Sequence, residues 1–167
     1  MKNKATSDFT TTIVVSKSAN AAFDAINNPV AWWSENVNGS STKTGDEFLY
    51  HYKDVHFAKI KIEELVPGQR VVWRVLMNHF NFTKDKTEWT NTRIIFDILE
   101  KGGKTEIFFT HEGLVPEYEC FEACSSGWTH FLTESLRRLI DTGKGEPNPK
   151  EGGFNEDLVN KLNLAAI

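Results

Sequence analysis

Two cysteines and two histidines lie close together towards the end of the chain, and these residue types can bind a metal or carry redox chemistry. Cys120 and Cys124 are four positions apart, which places both thiols on one face of a helix. A zinc site prefers two cysteines separated by two residues, together with two further ligands. His111 is available, but His130 follows Trp128 by two positions and points to the opposite side of the helix. The spacing therefore predicts no metal site and indicates buried thiols that pack as small apolar side chains.

His111 is a stronger candidate for chemistry. It ends a predicted strand on the same face as Ile107 and Phe109, so its ring is expected to point into an apolar interior. Burial of an imidazole lowers its pKa and keeps the ring neutral. Such a ring can anchor a ligand, act as a general base, or simply bond a neighbouring group in the core. The sequence leaves these three interpretations open.

Acidic residues surround the start of the helix that carries the cysteines, where negative charge interacts favourably with the helix dipole. They are Glu112, Glu117, Glu119 and Glu122. The nucleophile elbow, the nucleotide-binding glycine loops and the zinc-protease helix motif do not occur in the sequence. We therefore expect no metal, no cofactor and no catalytic residue, and we favour binding over enzymatic activity.

Composition narrows the class of protein. The chain has 167 residues, of which 40% are hydrophobic and 25% charged, as is typical of one soluble globular domain. Its net charge of −4 disfavours a nucleic-acid partner, because phosphate binding needs a basic surface. No apolar run is long enough to cross a membrane, and the first residues contain no secretory signal. These features predict a cytoplasmic protein with reduced thiols that binds neither nucleic acid nor membrane.

The aromatic content is the unusual quantity, with 12 Phe, 5 Trp and 3 Tyr. So many rings either fill a large core or line a ligand cavity, and composition does not decide between the two. Strand and helix periodicity selects the side chains that face inward. The candidate ligand-binding residues are Trp33, Phe48, Tyr50, Tyr52, Trp73, Phe96, Phe109, His111, Cys124, Trp128 and Phe131. Trp89 falls in a polar segment, where we expect a flexible lid or a surface ring.

The periodicity of apolar residues predicts a strand, two short helices, a long run of strands and one long helix. The predicted elements are a strand at 9–15, a helix at 21–27, a short helix from 30, a loop at 38–41, strands between 48 and 111 with a polar connection at 78–91, and a helix from 116 or 117 to 142. Residues 1–145 are expected to form one domain. Residues 146–167 are expected to form a tail that holds a short helix or frays.

This order of elements predicts an α+β architecture. Strands connected by hairpins form an antiparallel sheet, and only the long helix is large enough to cover one face of it. A twisted sheet of about six or seven strands curves around such a helix and leaves a gap between them. Two short helices follow the first strand.

Four stretches, in this order, carry a resemblance to a known family. The helix pair ending in a double tryptophan is AAFDAINNPVAWWSE, and the Pro-Gly turn with its aromatic strand is VPGQRVVWRV. The strand after the glycine turn is GGKTEIFFTHEGL, and the start of the last helix is SSGWTHFLTESL. Together they resemble the activator of heat-shock-protein-90 ATPase family within the START-like or SRPBCC superfamily, which shares the helix-grip fold of the birch-pollen allergen. The likeness spans about residues 9–145.

This resemblance implies a helix-grip fold with an internal cavity for an apolar or amphipathic small molecule. For some members it also implies a role in chaperone assistance or stress response. We therefore expect a small-molecule-binding module. The alternatives are a chaperone cofactor or stress-response interaction domain, and an enzyme acting on a hydrophobic or aromatic substrate with His111 as its acid–base residue. The protein is expected to be a monomer or a homodimer.

Overall fold

Alternating apolar and polar residues build the strands of one antiparallel sheet in the computed structural model, which describes residues 7–167. The strands are β1 (Phe9–Val15), β2 (Val37–Gly39), β3 (Glu47–Tyr52), β4 (His56–Val66), β5 (Arg70–Phe80), β6 (Arg93–Lys101) and β7 (Lys104–Glu112). Their order across the sheet is β1-β7-β6-β5-β4-β3-β2. Two register shifts between β4 and β5 bend these strands.

The helices pack against one face of this sheet. They are α1 (Ala19–Ile26), a 3₁₀ turn (Pro29–Ala31), α2 (Phe121–His130), a π-helical segment (Phe131–Leu136), α3 (Arg137–Thr142) and α4 (Gly153–Lys161). The π segment joins α2 to α3 without a break, and we call these three elements the long helix. It ends at Gly143, whose φ of 88° is the left-handed conformation that glycine adopts without strain. Within residues 7–167, no helix is long and apolar enough to span a bilayer.

The predicted α+β fold is confirmed: an antiparallel sheet, two short helical elements after the first strand, and a long helix near the end of the chain. Inward-facing residues pair across neighbouring strands. Phe96 lies opposite Phe109 in the register of β6 and β7, and Ile94 lies opposite His111. Parity along each strand therefore identified the inner face of the sheet correctly.

Several predicted boundaries differ from the structure. Helix α1 spans Ala19–Ile26, where 21–27 was expected. Val37–Gly39, which overlaps the expected loop at 38–41, forms the edge strand β2 and pairs with β3. Gly39 has φ 126° and lies against the backbone of β3, where a Cβ would be 2.5 Å from the carbonyl oxygen of Glu47. The long helix begins at Phe121 and not at 116 or 117, because residues 116–120 form turns.

The segment at 78–91 is not simply a polar connection. Strand β5 continues to Phe80, and the side-chain oxygen of Asn78 accepts from the backbone N–H of Trp89 at 3.0 Å. Glu88 is buried, and its carboxylate accepts from the N–H groups of Glu119 and Cys120, each at 3.0 Å. A carboxylate there satisfies N–H groups at the start of the long helix and complements its dipole. The segment thus holds the long helix in place.

Candidate functional site

A cavity of about 70 Å³ lies where the ends of β3, β4 and β5 face α2 and α4. The sheet side contributes Tyr50, Tyr52, His56 and Phe80, and the long helix contributes Ala123, Cys124, Gly127, Trp128 and Phe131. Loops contribute Trp33, Val55, Phe82 and Trp89, and the end of the chain contributes Asn155, Leu158, Val159 and Leu164. An apolar cavity of about 150 Å³ accommodates benzene, so this space is roughly half of what one aromatic ring needs.

Part of the predicted ligand-binding set borders this cavity. These residues are Trp33, Tyr50, Tyr52, Cys124, Trp128 and Phe131. The rings of Trp33 and Tyr50 stack with centroids 4.2 Å apart, and Trp33 lies 5.0 Å from Trp128. These contacts build one continuous aromatic wall from the loop after α1 to the long helix.

The other predicted residues lie in the packed core, outside the cavity lining. They are Phe48, Trp73, Phe96, Phe109 and His111. Their rings fill the interior by contacting one another: Trp73 lies 5.3 Å from Phe48 and 5.0 Å from Phe96, and Phe96 lies 5.2 Å from Phe109. Strand parity identifies the inner face, but it does not tell which end of that face is filled and which is hollow. A role of these residues in ligand binding stays a prediction.

His111 is completely buried, and both of its ring nitrogens are bonded. The indole Nε1 of Trp128 donates to Nδ1 at 3.0 Å, which makes Nδ1 the acceptor and leaves the hydrogen on Nε2. Nε2 therefore donates to the hydroxyl of Thr92 at 2.8 Å, and that hydroxyl donates to the carbonyl of Trp89 at 2.6 Å. The chain of bonds ties β7, the segment before β6 and α2 together and favours a packing role for His111.

Burial gives the stability a defined dependence on pH. It lowers the pKa of His111 from 6.5 to about 3, and it lowers that of His56 to about 3, with smaller contributions from His111 and His79. Between the folded pKa of about 3 and the unfolded pKa of 6.5, each of these histidines is protonated in the unfolded chain but neutral in the folded one. The free energy of unfolding therefore falls as the pH drops below about 6.5. Each buried histidine contributes about 1.4 kcal/mol per pH unit until its folded pKa is reached.

Urea denaturation at several pH values between 7.5 and 4.5 checks this expectation. His111→Gln keeps an acceptor and a donor but does not titrate, so we expect it to lose roughly half of the slope while His56 supplies the rest. A slope identical to that of the parent protein would show that the pKa of His111 is the same in the folded and unfolded states, which would contradict its burial as a neutral ring.

Two buried polar atoms beside the cavity have no hydrogen-bond partner among the described residues: His56 Nε2 and Trp89 Nε1. The two rings are perpendicular, with centroids 4.5 Å apart. The sequence-based set missed both. His56 continues the inward parity of Ala58 and Ile60 by one step, so periodicity could have found it. Trp89 is 3% exposed, so the expectation of a surface ring was wrong; its backbone N–H donates to the side chain of Asn78. The lid interpretation stays a prediction.

The end of the chain forms one side of the cavity. Tyr52 donates a hydrogen bond to Glu156, and the ammonium of Lys53 lies 2.8 Å from the same carboxylate. These two partners, Lys53 first, lower the pKa of Glu156. Phe154 stacks on His130 with centroids 3.9 Å apart. The expected tail therefore packs against the domain, and its helix α4 begins at Gly153.

Neither cysteine bonds to the other as a disulfide. Cys120 is buried, whereas Cys124 is partly exposed and borders the cavity. Within residues 7–167, no group of three or more His, Cys, Asp or Glu side chains is placed to hold a metal ion.

The sheet, the long helix and the aromatic space between them define a class of α+β proteins that grip a helix within a curved sheet. The chain belongs to the family of activator of Hsp90 ATPase homolog 1-like proteins, whose model matches residues 17–141. The resemblance to the activator of heat-shock-protein-90 ATPase family is thereby confirmed. Helix α4 and the residues after it lie outside the matched region.

Solved structures share this fold at low sequence identity. The Aha1 dimer from Colwellia psychrerythraea is 21% identical, with a TM-score of 0.67 over 83% of this chain and 99% of the other. A protein of the dynemicin biosynthetic locus is 18% identical, with a TM-score of 0.61 over 83% of this chain and 48% of the other, so the present chain spans about half of it. A conserved protein of unknown function from Enterococcus faecalis is 14% identical, with a TM-score of 0.62 over 96% and 87%. No curated protein sequence matches the chain.

Proposed function

We propose that this protein is a binding module that holds a small, largely apolar molecule in the cavity between sheet, long helix and α4. One observation carries the proposal: aromatic rings fill one end of the core, whereas at the other end they line a cavity. Trp33, Tyr50, Tyr52, Cys124, Trp128 and Phe131 are its proposed contacts from the predicted set. Membership of the family supports the proposal by analogy.

Binding requires α4 to move, because the cavity is too small for a ring while α4 covers it. No side chain of α4 is fully buried, so this helix is held less firmly than the rest of the core. Gly152 precedes this helix and Gly153 is its first residue, with φ of 80° and 69°, a conformation that other residues adopt only with strain. We infer that the ligand takes the place of Leu158, Val159 and Leu164 against the aromatic wall.

Filling the cavity tests this function. Gly127 lies on α2 at the cavity, and a Cβ added there meets no heavy atom within 4 Å. The Cβ of Gly127→Leu therefore has room, and we expect the rest of the side chain to occupy the cavity and the helix to gain about 1 kcal/mol of propensity. Titration with toluene, followed by NMR shifts of amides in α2, should show saturable binding to the parent protein and none to this variant.

The matched control is Ser126→Leu, which adds the same side chain one position away, outside the cavity lining. It is expected to bind toluene as the parent does. Equal binding by the parent and Gly127→Leu would place the probe elsewhere and would contradict the proposed site.

The other functions considered from the sequence stay predictions, as does a cytoplasmic location. A chaperone partner or a second copy of the chain would find exposed apolar side chains at Val14, Leu99 and Phe108 on the outer face of the sheet. An enzyme with His111 as its acid–base residue is less favoured, because neighbouring side chains engage both nitrogens of that ring.

A further inference from the structure

Two residues that border the cavity each carry a buried polar atom without a hydrogen-bond partner, which distinguishes this site from an ordinary apolar void. His56 is 8% exposed and Trp89 is 3% exposed, and neither His56 Nε2 nor Trp89 Nε1 has a partner within the described residues. A buried polar atom that leaves water without a new hydrogen bond lowers stability. Where a molecule binds beside such atoms, it can restore the bonds that folding removed.

Comparison with other buried rings shows that the chain does satisfy such groups elsewhere. His111 uses both nitrogens, and the indole Nε1 of Trp32 donates to the carbonyl of Ile26 at 3.2 Å. Trp73 Nε1 is also unpartnered, but Trp73 does not border the cavity. An unpartnered atom alone therefore marks no site. Two of them lie on touching rings that both border the cavity. Both atoms are sealed from solvent, so a ligand reaches them only when α4 or a neighbouring side chain moves.

The charge around the cavity favours a neutral occupant. Within residues 7–167, no Asp, Glu, Lys or Arg side chain borders the cavity. His56 does border it, and it would carry a charge only if its imidazole were protonated. Burial keeps that imidazole neutral, because it lowers the pKa to about 3. An anion or cation entering this space would lose its hydration without gaining a counter-charge.

We propose that the ligand is a neutral aromatic molecule of the phenol class, whose single hydroxyl meets Trp89 Nε1 and His56 Nε2 while its ring stacks on the tryptophans. The indole N–H only donates, so the ligand must offer an acceptor. A hydroxyl accepts from Trp89 and can also donate to, or accept from, the imidazole. The flat surfaces of Trp33, Trp89 and Trp128 suit an aromatic ring. This inference rests on the proposed function and adds the ligand chemistry.

Phenol and toluene provide a matched pair of probes, because they differ only by a hydroxyl in place of a methyl group. A purely apolar cavity prefers toluene, since phenol is better hydrated in water. We expect calorimetric titration of the full chain to show tighter binding of phenol than of toluene, and no binding of benzoate. In His56→Phe and in Trp89→Phe, phenol affinity should fall by about three- to tenfold while toluene affinity is kept.

Trp73→Phe is the matched control, because it removes an unpartnered indole N–H that does not border the cavity; its phenol preference should equal that of the parent. Preference for toluene in the parent, or an unchanged phenol-to-toluene ratio in both cavity variants, would overturn this inference alone. Failure of both probes to bind the parent would overturn the proposed function along with it. Using two variants guards against the case in which one of them fails to fold.

Discussion

Replacing Trp128 with alanine is expected to lower the free energy of unfolding by about 3–5 kcal/mol. Trp128 is 2% exposed and lies 5.0 Å from Trp33, 4.9 Å from Phe109 and 5.8 Å from Trp89, measured between ring centroids. Its loss therefore leaves a large void at the contact between long helix and sheet. It also removes the donor to His111 Nδ1, which then stays buried without a bond. Urea denaturation measures the change.

Two controls separate these contributions. Trp128→Phe keeps much of the ring but removes the N–H, so it should cost only about 1–3 kcal/mol. Phe108→Ala removes a ring that is 46% exposed on the outer face, and it should cost under about 1 kcal/mol. If Trp128→Ala unfolded at the same urea concentration as the parent, the long helix could not depend on this ring.

Ending the chain at Gly152 is expected to open the cavity and to raise both the reactivity of Cys124 and the affinity for an aromatic probe. The cut preserves the backbone bonds that join Asn148 to Trp33 and Glu35, each of 2.9 Å. It removes α4, together with the bonds of Glu156 to Tyr52 and Lys53. If opening α4 costs about 1–2 kcal/mol in the full chain, both quantities should rise by about five- to thirtyfold.

Reaction of the thiols with a coloured disulfide reagent follows this change, and Cys124→Ala assigns the signal. Cys120 is fully buried and should stay slow in both proteins. Glu156→Gln in the full chain weakens the ionic contact without deleting α4, so an intermediate rate is expected. Equal rates in the full and shortened chains would mean that α4 does not restrict access to the cavity.

The sequence predicted the sheet and the long helix well because their apolar residues recur at fixed periods. Phe48, Tyr50 and Tyr52 alternate on one strand and are all buried, as the pattern indicated. Membership of the family could also be predicted, since its motifs are local stretches that lie on these same elements.

The exact site could not be predicted, because it depends on contacts between distant segments. Nothing near Trp89 indicates burial; its position follows from the amide of Asn78, eleven positions earlier. Leu158 and Leu164, which also line the cavity, lie at the end of the chain, beyond the region that the family model matches. The position of the cavity depends on how the rings of the sheet pack against those of the helices. The alternation of residues along a strand carries no information on that packing.

A crystal structure of the protein grown with 4-bromophenol tests the central proposal most directly, because bromine can be located by its anomalous scattering. This molecule is larger than the space of about 70 Å³ that α4 now covers. We expect its ring against Trp33 and Trp128, its oxygen beside His56 and Trp89, and α4 displaced from its present position. A bromine signal found only on the outer surface, with α4 still in place over the cavity, would contradict the proposal.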